Sequence, residues 1–390
     1  MFAAGVATFG SLYCVQPLMP EFSRYFSVSA AESALSLSLT SGVLAVGLLL
    51  AGPLADAWGR KTLMSICLLA SALIALASAA APNWTSLLVL RTLLGVSLCG
   101  VPAVAMAYLA EEVDPESIGL AMGLYISGSA VGGMGGRLFA GVVTDFFGWR
   151  AGLAGVGLMA LVAALLFTRS LPPSRHFHAR RFELRGLPAL TLGMFRDPGL
   201  PWLFAEGFLL LGAFVTVYNY IGYRLMAPPY RLTQTAVGLI FSVYLVGTLS
   251  STGIGHLAGK LGRRKVLWAM FVVMLVGVAL TAAAELWLII AGIVVVTFGF
   301  FGGHSIVSSW VGRRAGTAKA NAAALYLFAY YMGSSLAGAL GGICYTLAGW
   351  RGVTTFVTML WGAGLLIAWR LYYLRPLAEL EAQRRWLPSV

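Results

Sequence analysis

The sequence predicts an all-α integral membrane protein, with twelve transmembrane helices in two pseudo-symmetric six-helix bundles. Three observations carry this expectation: scarce charge, long apolar runs without alternation, and a repeat of about half the chain's length. Of the 390 residues, 59% are hydrophobic and only 10% charged, with mean hydropathy +0.85. A soluble domain carries roughly a quarter charged residues, so this chain has too few to cover a surface in water. One span takes about 20 apolar residues, so twelve spans with short connections leave no room for a large soluble domain. β-barrel strands would alternate, and these runs do not. The 47 glycines suit helices that approach one another closely in lipid.

In chain order the spans are expected at 2–20, 33–52, 62–81, 85–110, 118–142 and 150–169, then 202–223, 236–255, 265–283, 286–308, 319–343 and 349–370. Turn chemistry punctuates them. Pro82 and Asn83 mark one tight connection and Asp114-Pro115 another, while Gly148 and Gly349 each precede a Trp-Arg pair.

The net charge of +12 raises the question of nucleic acid, but the basic residues fall in short clusters between apolar runs. Placing both termini in the cytoplasm puts 19 of the 26 Lys and Arg on inside segments and five on outside loops, with Arg91 and Arg137 inside spans. The positive-inside rule therefore orients the chain, and a nucleic-acid partner is not expected. Cys14, Cys67, Cys99 and Cys344 lie in apolar stretches without metal-ligand spacing, so they read as small hydrophobes with no disulfide framework and no metal. The chain opens almost directly in an apolar helix, leaving room for a short leader ahead of it.

The repeat is legible at several places. GPLADAWGRK at 52–61 returns as GHLAGKLGRRK at 255–265, and FFGWRAG at 146–152 as LAGWRGV at 347–353. Leu124-Tyr125 matches Leu325-Tyr326, Gly132 matches Gly333, and Phe2, Gly5 and Gly10 match Phe204, Gly207 and Gly212. Offsets of 201 to 203 at separate places predict two parallel copies of a six-helix unit. The expected organisation is a first bundle at 1–169, a basic cytoplasmic linker at 170–200, a second bundle at 201–375 and a cytoplasmic tail at 376–390. Two parallel halves about an axis along the membrane normal are the architecture in which bundles rock around a central site.

GPLADAWGRKTLM at 52–64 resembles the G-x-L-x-D-x-x-G-R-K/R signature between the second and third helices of the major facilitator superfamily. Through the repeat the resemblance covers the whole chain. It implies the major facilitator fold and a gating role for Gly52, Asp56, Gly59, Arg60 and Lys61, whose ion pairs would hold the outward-open state. A solvated turn with anchoring charges is the other reading. The second copy has Gly259 where the first has Asp56, which puts a second latch in doubt.

Arg91-Thr-Leu-Leu-Gly95 is similar to the R-x-x-x-G motif of proton-coupled members. Arg91 then reads as a fixed charge tuning proton release or holding an anion, or as a helix-end side chain snorkelling outward. Gly128, Gly132, Gly133 and Gly136 lie in a run resembling the antiporter motif of exporting members, though without its proline. Small residues at this spacing also serve helix packing alone. Arg137 ends the run and is expected to face the outer cavity or to pair with Asp145.

Glu206 is the one carboxylate well inside a predicted span, and His304 the one histidine. Intramembrane ionisable groups are functional candidates, so both are candidate proton carriers, against a structural ion pair and a core histidine. Tyr13 and Gln16 share a face of the first helix. With Tyr218, Asn219 and Tyr330 they are the expected cavity lining. No acidic residue falls in the first six predicted spans, which together with the two arginines leans the cargo toward neutral or anionic.

The chain resembles the bacterial drug:proton antiporter and sugar-efflux (arabinose-efflux-permease-like) branch. The implied function is proton-coupled antiport exporting small organic molecules by alternating access, from the bacterial inner membrane, as a monomer without cofactor. A proton symporter importing an organic anion is the alternative within transport, and a lipid-handling membrane protein the alternative outside it. No enzyme is expected, because no H-E-x-x-H, G-x-S-x-G or ligand-spaced cluster occurs.

Overall fold

A computed structural model describes residues 1–114, 116–172, 174 and 187–374. The expected tail at 376–390 and most of the early linker lie outside the described residues. Among the described residues every regular element is a helix. In order they are α1 Phe2–Tyr13, α2 Met19–Phe26, α3 Ala30–Trp58, α4 Arg60–Ala79, α5 Trp84–Leu98, α6 Pro102–Glu112, α7 Ile118–Ser170, α8 Leu187–Phe195, α9 Leu200–Met226, α10 Gln234–Ile240, α11 Tyr244–Leu261, α12 Arg263–Thr281, α13 Leu286–Arg314 and α14 Lys319–Tyr372.

Twelve membrane crossings follow once the breaks are read. α7 and α14 are each two crossings, joined at Gly148 (φ 79°) and Gly349 (φ 58°). α5 with α6, and α10 with α11, each make one interrupted crossing. The expected glycine turns thus sit at matching places in both copies. So do Gly59 (φ 89°) and Gly262 (φ 94°), which separate α3 from α4 and α11 from α12 in a backbone conformation that favours glycine.

The starts of the helices are set by local capping. Ser29 and Glu32 form a reciprocal capping box on α3. Asn83 caps α5 and Thr233 caps α10, and the Asp197 carboxylate accepts from the N–H groups of Gly199 and Leu200 to start α9.

Three expectations need correction. The first span was expected as one helix over 2–20, but it stops at Tyr13, turns through residues 14–18 and resumes as α2. Pro17 offers no N–H and its ring opposes the carbonyl one turn back. Several helices outrun their apolar cores. At 29 residues α3 is ~43 Å long against a ~30 Å hydrocarbon layer, so Glu32 and Asp56 are helical although hydropathy placed them in loops. The linker also contains a short helix, α8, over the apolar run at 187–195.

Packing repeats as well. A Cβ on Gly128, Gly132 or Gly136 would overlap the backbone of α1 at Phe2, Val6 or Gly10. In the second copy Gly333 lies just as close to Phe208, and Gly212 to Gly333. The glycine run is therefore the seam between α1 and α7, and its counterpart joins α9 to α14. Gly132→Val should cost on the order of 1–3 kcal/mol by overpacking and lower the thermal midpoint in detergent. Gly135→Val, at a position with open space around it, should leave the midpoint within error.

Candidate functional site

Turns at Gly59, Gly262 and Gly316 lie at one end of the bundles, together with the clustered Lys and Arg; we call this the basic end. At and toward the other end the two bundles are tied together. Gln16 Nε2 donates to Asn219 Oδ1 at 2.7 Å, Gln234 Nε2 to the Pro17 carbonyl at 2.7 Å, and Tyr223 Oη to the Met19 carbonyl at 2.8 Å. Asp145 accepts from the backbone N–H of Gln234 at 3.1 Å and of Thr235 at 2.7 Å. Deeper in, Ser335 Oγ donates to the Ser38 carbonyl at 2.7 Å. The turn at 14–18 supplies two of these ties, because a broken helix leaves side chains and carbonyls free to reach across.

Toward the basic end the bundles part around a cavity of about 1170 Å³. Gly52, Asp56, Arg60 and Glu111 line it from the first bundle, and His304, Ser308, Asn321 and Tyr326 from the second. Arg60 forks its guanidinium onto the Glu111 carboxylate and lies 3.6 Å from Asp56, while Lys61 donates to the Leu171 carbonyl. These partners all belong to the first bundle, so the signature residues sit at the open mouth without bridging it.

On the cavity wall His304 Nδ1 is hydrogen-bonded to Tyr326 Oη at 2.8 Å, and its ring packs 4.6 Å from that of Tyr330. Behind Tyr326 lies Glu206, 0% exposed, with neither carboxylate oxygen hydrogen-bonded. Gly207 beside it packs on the Tyr326 ring, and Glu206 is within electrostatic reach of the Tyr326 hydroxyl. The structural ion pair weighed for Glu206 is absent among the described residues. An ionised carboxylate so placed would be costly, which ties its charge to whatever opens the cavity wall.

Both interior arginines sit elsewhere than expected. Gly95 lets α5 approach Thr40 of α3, where a Cβ would overlap its backbone. At that distance Arg91, 1% exposed, donates to the carbonyls of Ser36, Ser11 and Leu12 at 2.7–2.9 Å. It neither snorkels outward nor lines the cavity. Arg137 pairs not with Asp145 but with Gln16 Oε1, through Nε at 2.6 Å, and with the Gly133 carbonyl at 2.7 Å. Its guanidinium carbon lies 4.2 Å from the centroid of Tyr13, 4.8 Å from Tyr244 and 5.1 Å from Phe241.

Tyr13, Gln16, Tyr218 and Asn219 are buried in the tied region rather than lining the cavity. Tyr330 stands behind the cavity wall, packed on the rings of both His304 and Tyr326. Tyr326, Glu111 and Asn321 were missed. The first had a signal in its match to Tyr125; the others lay in stretches read as loop or helix start.

The sequence matches the family model described as Major Facilitator Superfamily over residues 1–234 and 209–387. It is 48% identical over 372 residues to the inner membrane transport protein YnfM of Escherichia coli (strain K12), covering 95% of this chain and 89% of that one. It is 46% identical over 370 residues to the uncharacterized MFS-type transporter YybF of Bacillus subtilis (strain 168), covering 94% and 92%. A solved bacterial homologue of the human lysosomal transporter Spinster, inward-facing and unoccupied, has the same fold, with TM-score 0.75 at 15% identity, covering 100% of this chain and 97% of that one.

The geometry of Arg91 makes its removal a test of stability rather than of cargo charge. Arg91→Ala strands three carbonyls and should cost on the order of 3 kcal/mol, read as a lowered thermal midpoint in detergent. An unchanged midpoint with lost binding of an anionic solute would instead return Arg91 to the transport path.

Proposed function

The chain belongs to the major facilitator superfamily, and on that premise we propose that this secondary transporter is a proton-driven antiporter exporting small organic molecules. One observation carries the reading: a cavity of about 1170 Å³ opens between the bundles at the basic end, while hydrogen bonds tie them at the other. That is one of the two states that alternating access requires. With the basic end inside by the positive-inside rule, both termini are cytoplasmic and the cavity faces the cytoplasm of a bacterial inner membrane. The working division is 1–169 and 201–375 for the bundles, 170–200 for the linker and 376–390 for the tail, acting as a monomer.

Glu206, Tyr326 and His304 form the proposed proton site. Glu206 has no donor to hold it as an anion, and the Tyr326–His304 hydrogen bond separates it from the cavity. A proton entering from the far side is released when this wall is exposed to the cytoplasm. Asp56, Arg60 and Lys61 stand at the mouth, placed to bridge the bundles when it closes.

The cargo reading shifts with the geometry. Arg91 and Arg137 are spent on internal partners outside the cavity, which removes the main support for importing an organic anion. The cavity instead offers a mouth with two carboxylates, Asp56 and Glu111, against one arginine, Arg60, and a wall of His304 and Tyr326, which favours neutral or weakly basic amphipathic cargo. The relatives' identity as transporters and the absence of catalytic motifs support a transporter rather than an enzyme.

Proteoliposomes loaded with a panel of neutral, cationic and anionic organic solutes test both direction and coupling. An acid exterior should drive extrusion of a neutral or cationic member, whereas acid-driven uptake of an anion would establish the symporter instead. Glu206→Gln should abolish gradient-driven extrusion while leaving solute counterflow within about twofold, since exchange needs no net proton movement. Unimpaired gradient-driven extrusion by this variant removes Glu206 from the coupling.

A further inference from the structure

Arg137 presents an unusual charge balance. It is 1% exposed, and among the described residues no carboxylate pairs with it. Its charge rests on the Gln16 side-chain oxygen, the Gly133 carbonyl and the faces of three aromatic rings. Tyr13, Gln16 and Gly133 belong to its own bundle and travel with it. Phe241 and Tyr244 belong to the second bundle, at the junction of α10 and α11. Gln16, held by Arg137 through its oxygen, uses its amide nitrogen to reach Asn219 of the second bundle. Every cross-bundle attachment of this arginine is therefore made in the tied region, and each must part if that end opens.

We propose that Arg137 is a positioning residue of the transport cycle, clamping the two bundles shut at the end opposite the cavity. This rests on the alternating-access reading given above. A buried cation lying over aromatic faces is attracted more strongly than one in water, and these faces add to the two oxygens that accept its hydrogen bonds. The same contacts let go without separating an ion pair in a low dielectric, a step that would cost far more. Opening replaces the faces of Phe241 and Tyr244 by water, so the clamp is firm when dry and weak once wetted.

The ring system also continues toward the cavity. Tyr244 packs 5.7 Å from Phe214, Phe214 stacks 3.8 Å from Phe300, and Phe300 lies 6.1 Å from His304. These rings all belong to the second bundle, so the surface that grips Arg137, at the α10–α11 junction, is packed through α9 onto α13, which carries His304 of the cavity wall. A change at His304 has a packed route to the clamp through Phe300 and Phe214.

Hydrogen exchange of the full-length protein in detergent reads the clamp directly, without any transport assay. Arg137→Gln and Tyr244→Leu should each raise exchange about tenfold in segments 14–19 and 234–243. The same variants should slow exchange at 104–111 and 308–327, as the cavity end closes. Tyr244→Phe keeps an aromatic face and should match the wild type. A general rise at both ends, no change in Tyr244→Leu, or equal effects of the Phe and Leu variants would overturn the proposal. Absence of alternating transport by the wild type would defeat the functional reading while leaving this exchange pattern intact.

Discussion

A peptide group in hydrocarbon has no water to bond, and an unpaired one costs several kcal/mol. The rest of the molecule follows from that constraint. It forces each crossing to be helical, and it makes every interruption a place where backbone groups need other partners. The turn at 14–18 is the clearest case. Its Pro17 carbonyl accepts from Gln234, the Met19 carbonyl accepts from Tyr223, and the Ser11 and Leu12 carbonyls just before it accept from Arg91. The other bundle reaches into this stretch through Gln234 and Tyr223, while Arg91 takes up the remaining carbonyls within the first bundle.

Arg91 and Arg137, buried within the crossings, are understandable in the same terms. Each supplies donors where the interior is rich in carbonyls, and each finds partners other than carboxylates among the described residues. Arg91 binds α1, α3 and α5 within one bundle. Arg137 faces the other bundle across an aromatic seam. A charge in a membrane protein is usually assumed to mark cargo or protons; here Arg91 and Arg137 are held by internal partners, while Glu206 has no hydrogen-bond partner among the described residues.

Glycine supplies the complementary condition. Backbones of α1 and α7 approach too closely for any Cβ at Gly128, Gly132 or Gly136, and the second bundle repeats the arrangement at Gly212 and Gly333. Without a hydrophobic force between helices in lipid, such contact is a principal source of cohesion. The bundles themselves meet through a few hydrogen bonds, through Arg137, and along α3 and α14, where Gly342 lies against the Ala31 backbone and Gly42 against Ser335.

The crossings, the duplication and the glycine turns were legible in the sequence because each is local. Hydropathy reads a span from about 20 neighbours, and a repeated motif carries its turn with it, as Gly148 and Gly349 do. Part of the mouth was legible for the same reason, since Asp56 and Arg60 lie on one short motif, whereas Glu111, which holds Arg60, sits on another helix end and was missed. What the chain could not show by itself was which side chains meet. Tyr13, Gln16, Tyr218 and Asn219 share polar character with a cavity wall, yet they are buried against partners on distant helices: Gln16 meets Asn219, Tyr13 meets Arg137 and Tyr218 meets Thr297. Whether an arginine faces water, a carboxylate or three aromatic rings depends on how two bundles dock, and a sequence pattern records one helix at a time. Tertiary structure alone decided that Arg137 faces Phe241 and Tyr244, and that Glu206 is buried without a hydrogen-bond partner among the described residues.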